Sequence, residues 1–197
     1  MRELVFARHA ESEFSVLEKL NGDASVEVRL TEAGRAQARE LGRKAGPVDL
    51  VAHTEFSRTR ETAELAWPGV PLLELPELNE FAFGRFEGTR WTDGFDEWIL
   101  TSTPAEDVPG GGESRLVAVQ RFVRGYRTLL DRAEERVALV AHGAPVRYVL
   151  LALESKPPEP LLEGVDPAMP FMIDADAFGR AVDALEAWAA APAWLDD

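Results

Sequence analysis

Each of the chain's three histidines follows a short apolar run. His9 comes after Leu4-Val5-Phe6-Ala7 and is paired with Arg8. His53 comes after Leu50-Val51-Ala52, with Arg58 close behind. His142 comes after Val137-Ala138-Leu139-Val140-Ala141. Short apolar runs bounded by polar clusters read as buried strands. In open α/β sheets, ligands bind at the carboxyl ends of strands. Arg next to His at such an end is suited to an anion site that also holds a nucleophile or proton carrier. The plainer alternative is an edge histidine with Arg8 in a surface salt bridge. Two histidines and two arginines gathered on one sheet edge, with helix N-termini nearby, make an oxyanion site suited to phosphate. Guanidinium offers a planar fork to phosphate oxygens and holds its charge at any physiological pH. Helix N-termini add free N–H groups and partial positive charge.

The elements that must position these residues follow from patterning. Thr31 is a natural N-cap for a helix that Gly46-Pro47 stops. A second helix is expected over residues 57–66, and a third strand over 70–75, ending at Pro76. Residues 14–28 read as a loop. Residues 77–112 read as a long irregular region rich in aromatics (Phe81, Phe83, Phe86, Trp91, Phe95, Trp98), with a short helix near 93–100 and Pro109-Gly110-Gly111-Gly112 as a flexible joint. Long loops of this kind are usually functional or disordered; the aromatics favour packing, a lid or a pocket wall. Further helices are expected over 113–132, 144–153 and 177–190, with an outer strand over 169–173. The proline-rich stretch 155–163 must be loop. Strand and helix alternate throughout. That predicts an α/β fold, a three-layer sandwich with a mostly parallel central sheet and helices on both faces.

The length of 197 residues, 46% hydrophobic, fits a single domain over 1–197. Cysteine is absent, which excludes disulfides and thiolate metal sites. The N-terminal stretch lacks the apolar core of a signal peptide, and no run is long enough to span a membrane. A cytoplasmic protein is expected. The net charge of −14 disfavours nucleic acid and anionic membranes as partners, yet leaves room for a small anion in a locally positive pocket.

Five segments, taken in order, resemble the histidine phosphatase superfamily, also called the phosphoglycerate mutase-like family. Arg8-His9-Ala10-Glu11-Ser12 resembles its RHG signature. Residues 30–38, Leu-Thr-Glu-Ala-Gly-Arg-Ala-Gln-Ala, resemble its LTEXGRXQA helix start. Ser57-Arg58-Thr59-Arg60-Glu61-Thr62-Ala63 resembles its arginine helix. Leu78-Asn79-Glu80-Phe81-Ala82-Phe83-Gly84-Arg85-Phe86-Glu87-Gly88 resembles its acidic loop. Ala141-His142-Gly143 with Arg147 resembles its second histidine motif. The resemblance covers most of the first 150 residues.

The resemblance implies the following roles. His9 is the nucleophile that carries a transient phosphoryl group. Arg8, Arg58 and His142 bind phosphate oxygens. Glu80 is first the acid for the leaving oxygen and then the base for water. Ser12 donates to the phosphate. The arginines supply the positive charge, so neither a metal nor another cofactor is called for. The substrate would be a small-molecule phosphate ester. A homodimer is compatible with the sequence, which fixes no oligomeric state. His53 fits no role in the family pattern and reads as structural or at the rim, and Arg60, Arg85 and Arg147 read as structural.

Two positions depart from the pattern. Ala10 stands where many members have Gly. Ser15 stands where many have an Asn that helps hold the phosphate, and this argues against the mutase branch. Mutases of this type also usually carry a longer insertion over the site. A phosphatase is therefore expected. Phosphoglycerate mutase chemistry is the alternative, and a non-catalytic phospho-ligand binding module is a third reading that would leave Glu80 without a purpose.

Overall fold

Glu3–Arg8 (β1) alternates its side chains between two apolar layers, and that alternation sets the architecture. Leu4 and Phe6 face one layer, Val5 and Ala7 the other. The computed structural model describes residues 1–161 and 164–194. Residues 162–163 of the proline-rich stretch and residues 195–197 lie outside the described residues; the rest of that stretch is loop, as expected.

The sheet has the strand order β3-β2-β4-β1-β5. Leu50–His53 (β2), Leu72–Glu74 (β3) and Arg136–Ala141 (β4) run parallel to β1, while Phe171–Asp174 (β5) is antiparallel at the edge. Arg8 is level with Ala141, and His53 with Val140. The carboxyl ends of β2, β4 and β1 are therefore neighbours, and His53, His142 and His9 emerge side by side.

Glu32–Ala45 (α2) and Ser57–Ala66 (α3) cover the Val5 face. Arg115–Leu130 (α5), Gly143–Leu153 (α6) and Ala175–Ala190 (α7) cover the Leu4 face. The expected three-layer α/β sandwich is the observed one.

Several boundaries differ from the sequence reading. Residues 14–28 do not begin as loop: Glu13–Val16 (α1) forms one turn, closed by a capping box between Ser12 and Ser15. The third strand is shorter than expected, with Pro71 before it and Pro76 opening a 3₁₀ turn after it. The last strand starts only after Pro170, which lacks the N–H for a ladder. The last helix starts two residues early because Asp174 accepts hydrogen bonds from the Asp176 and Ala177 N–H groups at 2.9 and 3.2 Å.

The aromatic region is mostly core. Phe81, Phe83 and Phe86 are buried, as is Phe95 on Phe95–Thr101 (α4), and edge-to-face contacts join them. The glycine run is a tight crossing and not a free joint. Arg85 N–H donates to the Pro109 carbonyl at 2.7 Å, and a Cβ on Gly112 would sit 2.4 Å from the Ala82 oxygen.

Candidate active site

His9 leaves the end of β1 fully enclosed, at 4% exposure. Its Nδ1 lies 2.7 Å from the Ala10 carbonyl. A carbonyl only accepts, so Nδ1 carries the proton and Nε2 carries the lone pair. Arg58 Nε donates to that Nε2 at 3.1 Å. Burial, then the charges of Arg58 and Arg8, hold the His9 pKa well below the ordinary imidazole value. The ring is thus neutral, with its basic nitrogen turned toward a guanidinium. Ala10 needs no positive φ, and its N–H donates to Thr62 Oγ1 at 3.0 Å, so alanine is tolerated where glycine is common in the resembled motif.

Arg58 is buried in the first turn of α3, stacked 4.3 Å over the Phe56 ring. Desolvation pulls its pKa down to about 10, opposed by the charge of Glu80. Its Nη1 donates to Asn21 Oδ1, and its Nη2 donates to the Asn21 carbonyl at 3.0 Å. Asn21 was not among the residues singled out from sequence. Its neighbour Gly22 gives the signal in hindsight: a Cβ there would lie 1.6 Å from the Phe81 oxygen, so only glycine lets this loop press against the 81–87 segment. Glu87 fastens the contact by accepting from the Gly22 and Phe83 N–H groups, each at 2.9 Å.

His142 is fully buried at the start of α6, 5.5 Å from the His9 ring. Arg58 Nη2 lies 3.3 Å from its Nδ1, and Thr54 Oγ1 lies 2.9 Å from its Nε2. Desolvation and Arg58 lower its pKa well below the ordinary value.

Glu80 faces the same centre. Its Oε2 accepts from Gly143 N–H at 3.1 Å and its Oε1 from Phe81 N–H at 3.2 Å. The residue is half-buried by surface area, and the density of protein around the carboxyl still penalises the charged form. Its pKa is raised, against the pull of Arg58 and Arg8. Arg8 is also half-buried. Its Nη1 donates to the Val165 carbonyl at 2.9 Å, and its Nε is buried with no hydrogen-bond partner among the described residues.

The structure thus brings His9, Arg58, His142, Glu80 and Arg8 together. Ser12 differs: its hydroxyl and N–H are engaged with Ser15 in the α1 capping box. Ser15 is likewise engaged there. His53 is buried, with Nδ1 lying 2.7 Å from the Thr54 carbonyl, so it does not stand at an exposed rim. Arg60 pairs with Glu64, and Arg85 stacks on Phe86. Among the described residues no group of His, Asp or Glu is arranged to hold a metal ion. No helix among them is long and apolar enough to cross a membrane.

The sequence profile of the histidine phosphatase superfamily (branch 1) matches residues 4–171. The chain belongs to that superfamily. It is 32% identical to a 2,3-bisphosphoglycerate-dependent phosphoglycerate mutase of Bradyrhizobium diazoefficiens, over 82% of this chain and 86% of that protein. It is 27% identical to a metal-independent phosphoserine phosphatase of Arabidopsis thaliana, over 77% of this chain and 68% of that one. In structure it is similar to the alpha-ribazole phosphatase of Shigella flexneri, with a TM-score of 0.72 and 24% identity over 87% of this chain and 90% of that one. That likeness is one of fold. The superfamily holds both phosphatases and mutases, and both are represented among these relatives.

Proposed function

We propose that this superfamily member is a metal-independent phosphomonoesterase acting on a phosphorylated small molecule through a phosphohistidine on His9. The observation that carries the proposal is the His9 tautomer, with Nδ1–H tied to the Ala10 carbonyl and the Nε2 lone pair directed into the arginine-lined centre. His9 Nε2 attacks phosphorus, the ester P–O bond breaks, and Glu80 gives its proton to the leaving oxygen. Water then attacks the phosphohistidine and Glu80 takes up a water proton. The P–N bond breaks, returning neutral His9 and free phosphate. Arg8, Arg58 and His142 meet the charge on the non-bridging oxygens. A positioned acid typically contributes about 10²–10⁴-fold. The raised pKa of Glu80 keeps that proton available.

The experiment is hydrolysis of an aryl phosphate by wild type and His9→Ala, with mass spectrometry of acid-sensitive, alkali-stable phosphoprotein after rapid quenching. Loss of both hydrolysis and phosphoprotein in the variant supports the reading, and retained hydrolysis overturns it. Chelator is expected to leave the rate unchanged, because the guanidinium groups supply the positive charge.

Mutase activity is the second reading, favoured by the identity to the Bradyrhizobium enzyme. Compactness does not separate the two readings, since the match spans 86% of that mutase. Ser15 in the α1 cap, in place of a phosphate-holding Asn, supports the phosphatase. Release of phosphate from phosphoserine and 3-phosphoglycerate, measured beside coupled conversion of 3- to 2-phosphoglycerate, decides between them.

A further inference from the structure

Beside the histidine centre lies a cavity of about 360 Å³ whose inner wall is Arg8. Its other walls come from two chain segments pinned together. Leu20 N–H donates to the Thr89 carbonyl at 2.9 Å, Gly88 N–H returns to the Leu20 carbonyl at 3.0 Å, and Lys19 pairs with Arg90 in a single antiparallel bridge. This pairing fixes Lys19 and Arg90 next to each other on the cavity wall, with Phe14 and Trp91 flanking them.

Among the described residues neither cation has an ion pair. Lys19 Nζ sits 5.5 Å over the Phe14 ring, and both side chains are exposed. They stand side by side in a chain of net charge −14, in which nine other arginines are matched to carboxylates among the described residues. Glu18 also lines the cavity, and Asp93 accepts from the Arg90 backbone N–H at 3.0 Å. Arg8, Lys19 and Arg90 against Glu18 and the neighbouring Asp93 leave the balance positive by one charge.

We infer that this cavity receives the leaving group of the substrate, and that the leaving group carries a second negative charge, held by Lys19 and Arg90, on a small flat or apolar stem packed against Phe14 and Trp91. The inference rests on the phosphatase reading above, because Arg8 is shared between the cavity and the phosphate centre. The cavity volume lies at the small end of ligand sites, which suits a metabolite-sized leaving group. Two exposed cations steer and select more than they bind.

The test uses phenyl phosphate and 3-carboxyphenyl phosphate, whose phenols differ little in acidity, with wild type and the double variant Lys19→Gln/Arg90→Gln. The wild type is expected to favour the carboxylated ester by about tenfold in kcat/KM, from exposed pairs worth up to roughly fivefold each. In the double variant the ratio drops to about threefold or less, and high salt lowers the wild-type ratio in the same direction. A wild-type ratio of one or below, or a ratio untouched by the double substitution, overturns the inference. If both esters are hydrolysed equally, the phosphatase reading stands and this one falls. If neither is hydrolysed, the phosphatase reading falls, and binding of phenylphosphonate against 3-carboxyphenylphosphonate by calorimetry judges the cavity on the same ratio.

Discussion

Thr54 Oγ1 and His142 Nε2 are joined by a hydrogen bond of 2.9 Å whose direction is set from behind. Thr59 Oγ1 donates to the Phe56 carbonyl at 2.8 Å, so the Thr54 hydroxyl donates to Thr59, 2.8 Å away. Thr54 then accepts from His142 Nε2–H, and Nδ1 is left as the unprotonated nitrogen facing Arg58. A phosphate oxygen at that position needs Nδ1 protonated, so phosphate binding is expected to take up a proton. Thr54→Val keeps the shape and releases the tautomer. A neutral His142 can then carry its proton on Nδ1, so the inhibition constant for inorganic phosphate at neutral pH should fall about 3–10-fold, the effect of one hydrogen bond, and lose part of its dependence on pH. Phosphate inhibition measured across pH for both proteins checks this.

Arg121 governs where Glu80 sits without touching its carboxyl. Its guanidinium donates to the Glu77 carbonyl at 2.9 Å, the Asn79 carbonyl at 2.8 Å and the Glu80 carbonyl at 3.2 Å, while pairing with Glu113. Glu113 in turn accepts from Ala82 N–H at 3.1 Å. Lys keeps the charge and loses the fork. Arg121→Lys should lower kcat by about tenfold, the order expected for a small misplacement, with KM nearly unchanged. Steady-state kinetics on an aryl phosphate give the split.

The pH dependence of kcat/KM follows from two opposite shifts. His9 reacts neutral, so the rate rises with pH through its pKa, which burial and two guanidinium groups place well below the ordinary 6.5. Glu80 acts protonated, so the rate falls as pH rises through its pKa, which burial places above 4.5. The expected profile is a bell with its optimum on the acid side of neutrality. Glu80→Gln should remove the Glu80 share of the alkaline limb, leaving the part set by proton uptake at His142, and lower kcat by about 10²–10⁴-fold for substrates with poor leaving groups. The loss should be smaller for aryl phosphates, which need less help from an acid.

Arg115 is buried without a carboxylate partner among the described residues. Its guanidinium donates to the Ser102 carbonyl and hydroxyl at 2.9 and 2.7 Å, and lies about 5 Å from the rings of both Trp98 and Trp194. It ties the end of α4 to the start of α5 and to the C-terminal segment. Arg115→Ala should cost about 2–3 kcal/mol, since it leaves buried acceptors unmet. That lowers Tm by about 4–12 °C for a chain of this size. Thermal unfolding followed by circular dichroism measures it, with kcat per folded molecule as the control.

The sequence by itself determined the layered α/β class, the strand ends bearing His9, His53 and His142, and the family. Those features are local: apolar runs, caps such as Thr31, and short motifs with fixed spacing. It placed Arg58 and Glu80 by motif alone. Helix starts at Ser12 and Asp174 escaped it because a cap depends on which N–H groups the side chain meets. Only the tertiary structure decided that β4 lies between β1 and β2, which sets His142 beside His9. Strand order depends on how crossovers pack, and nothing within a strand encodes its neighbour. Asn21 reaches Arg58 only because Gly22 packs on Phe81, a contact across about sixty residues of chain. Lys19 and Arg90 become one cationic wall by a single bridge between distant loops. The protonation states at the centre are likewise tertiary, because desolvation, which dominates the shifts of His9 and Glu80, exists only once the surrounding layers have closed over them.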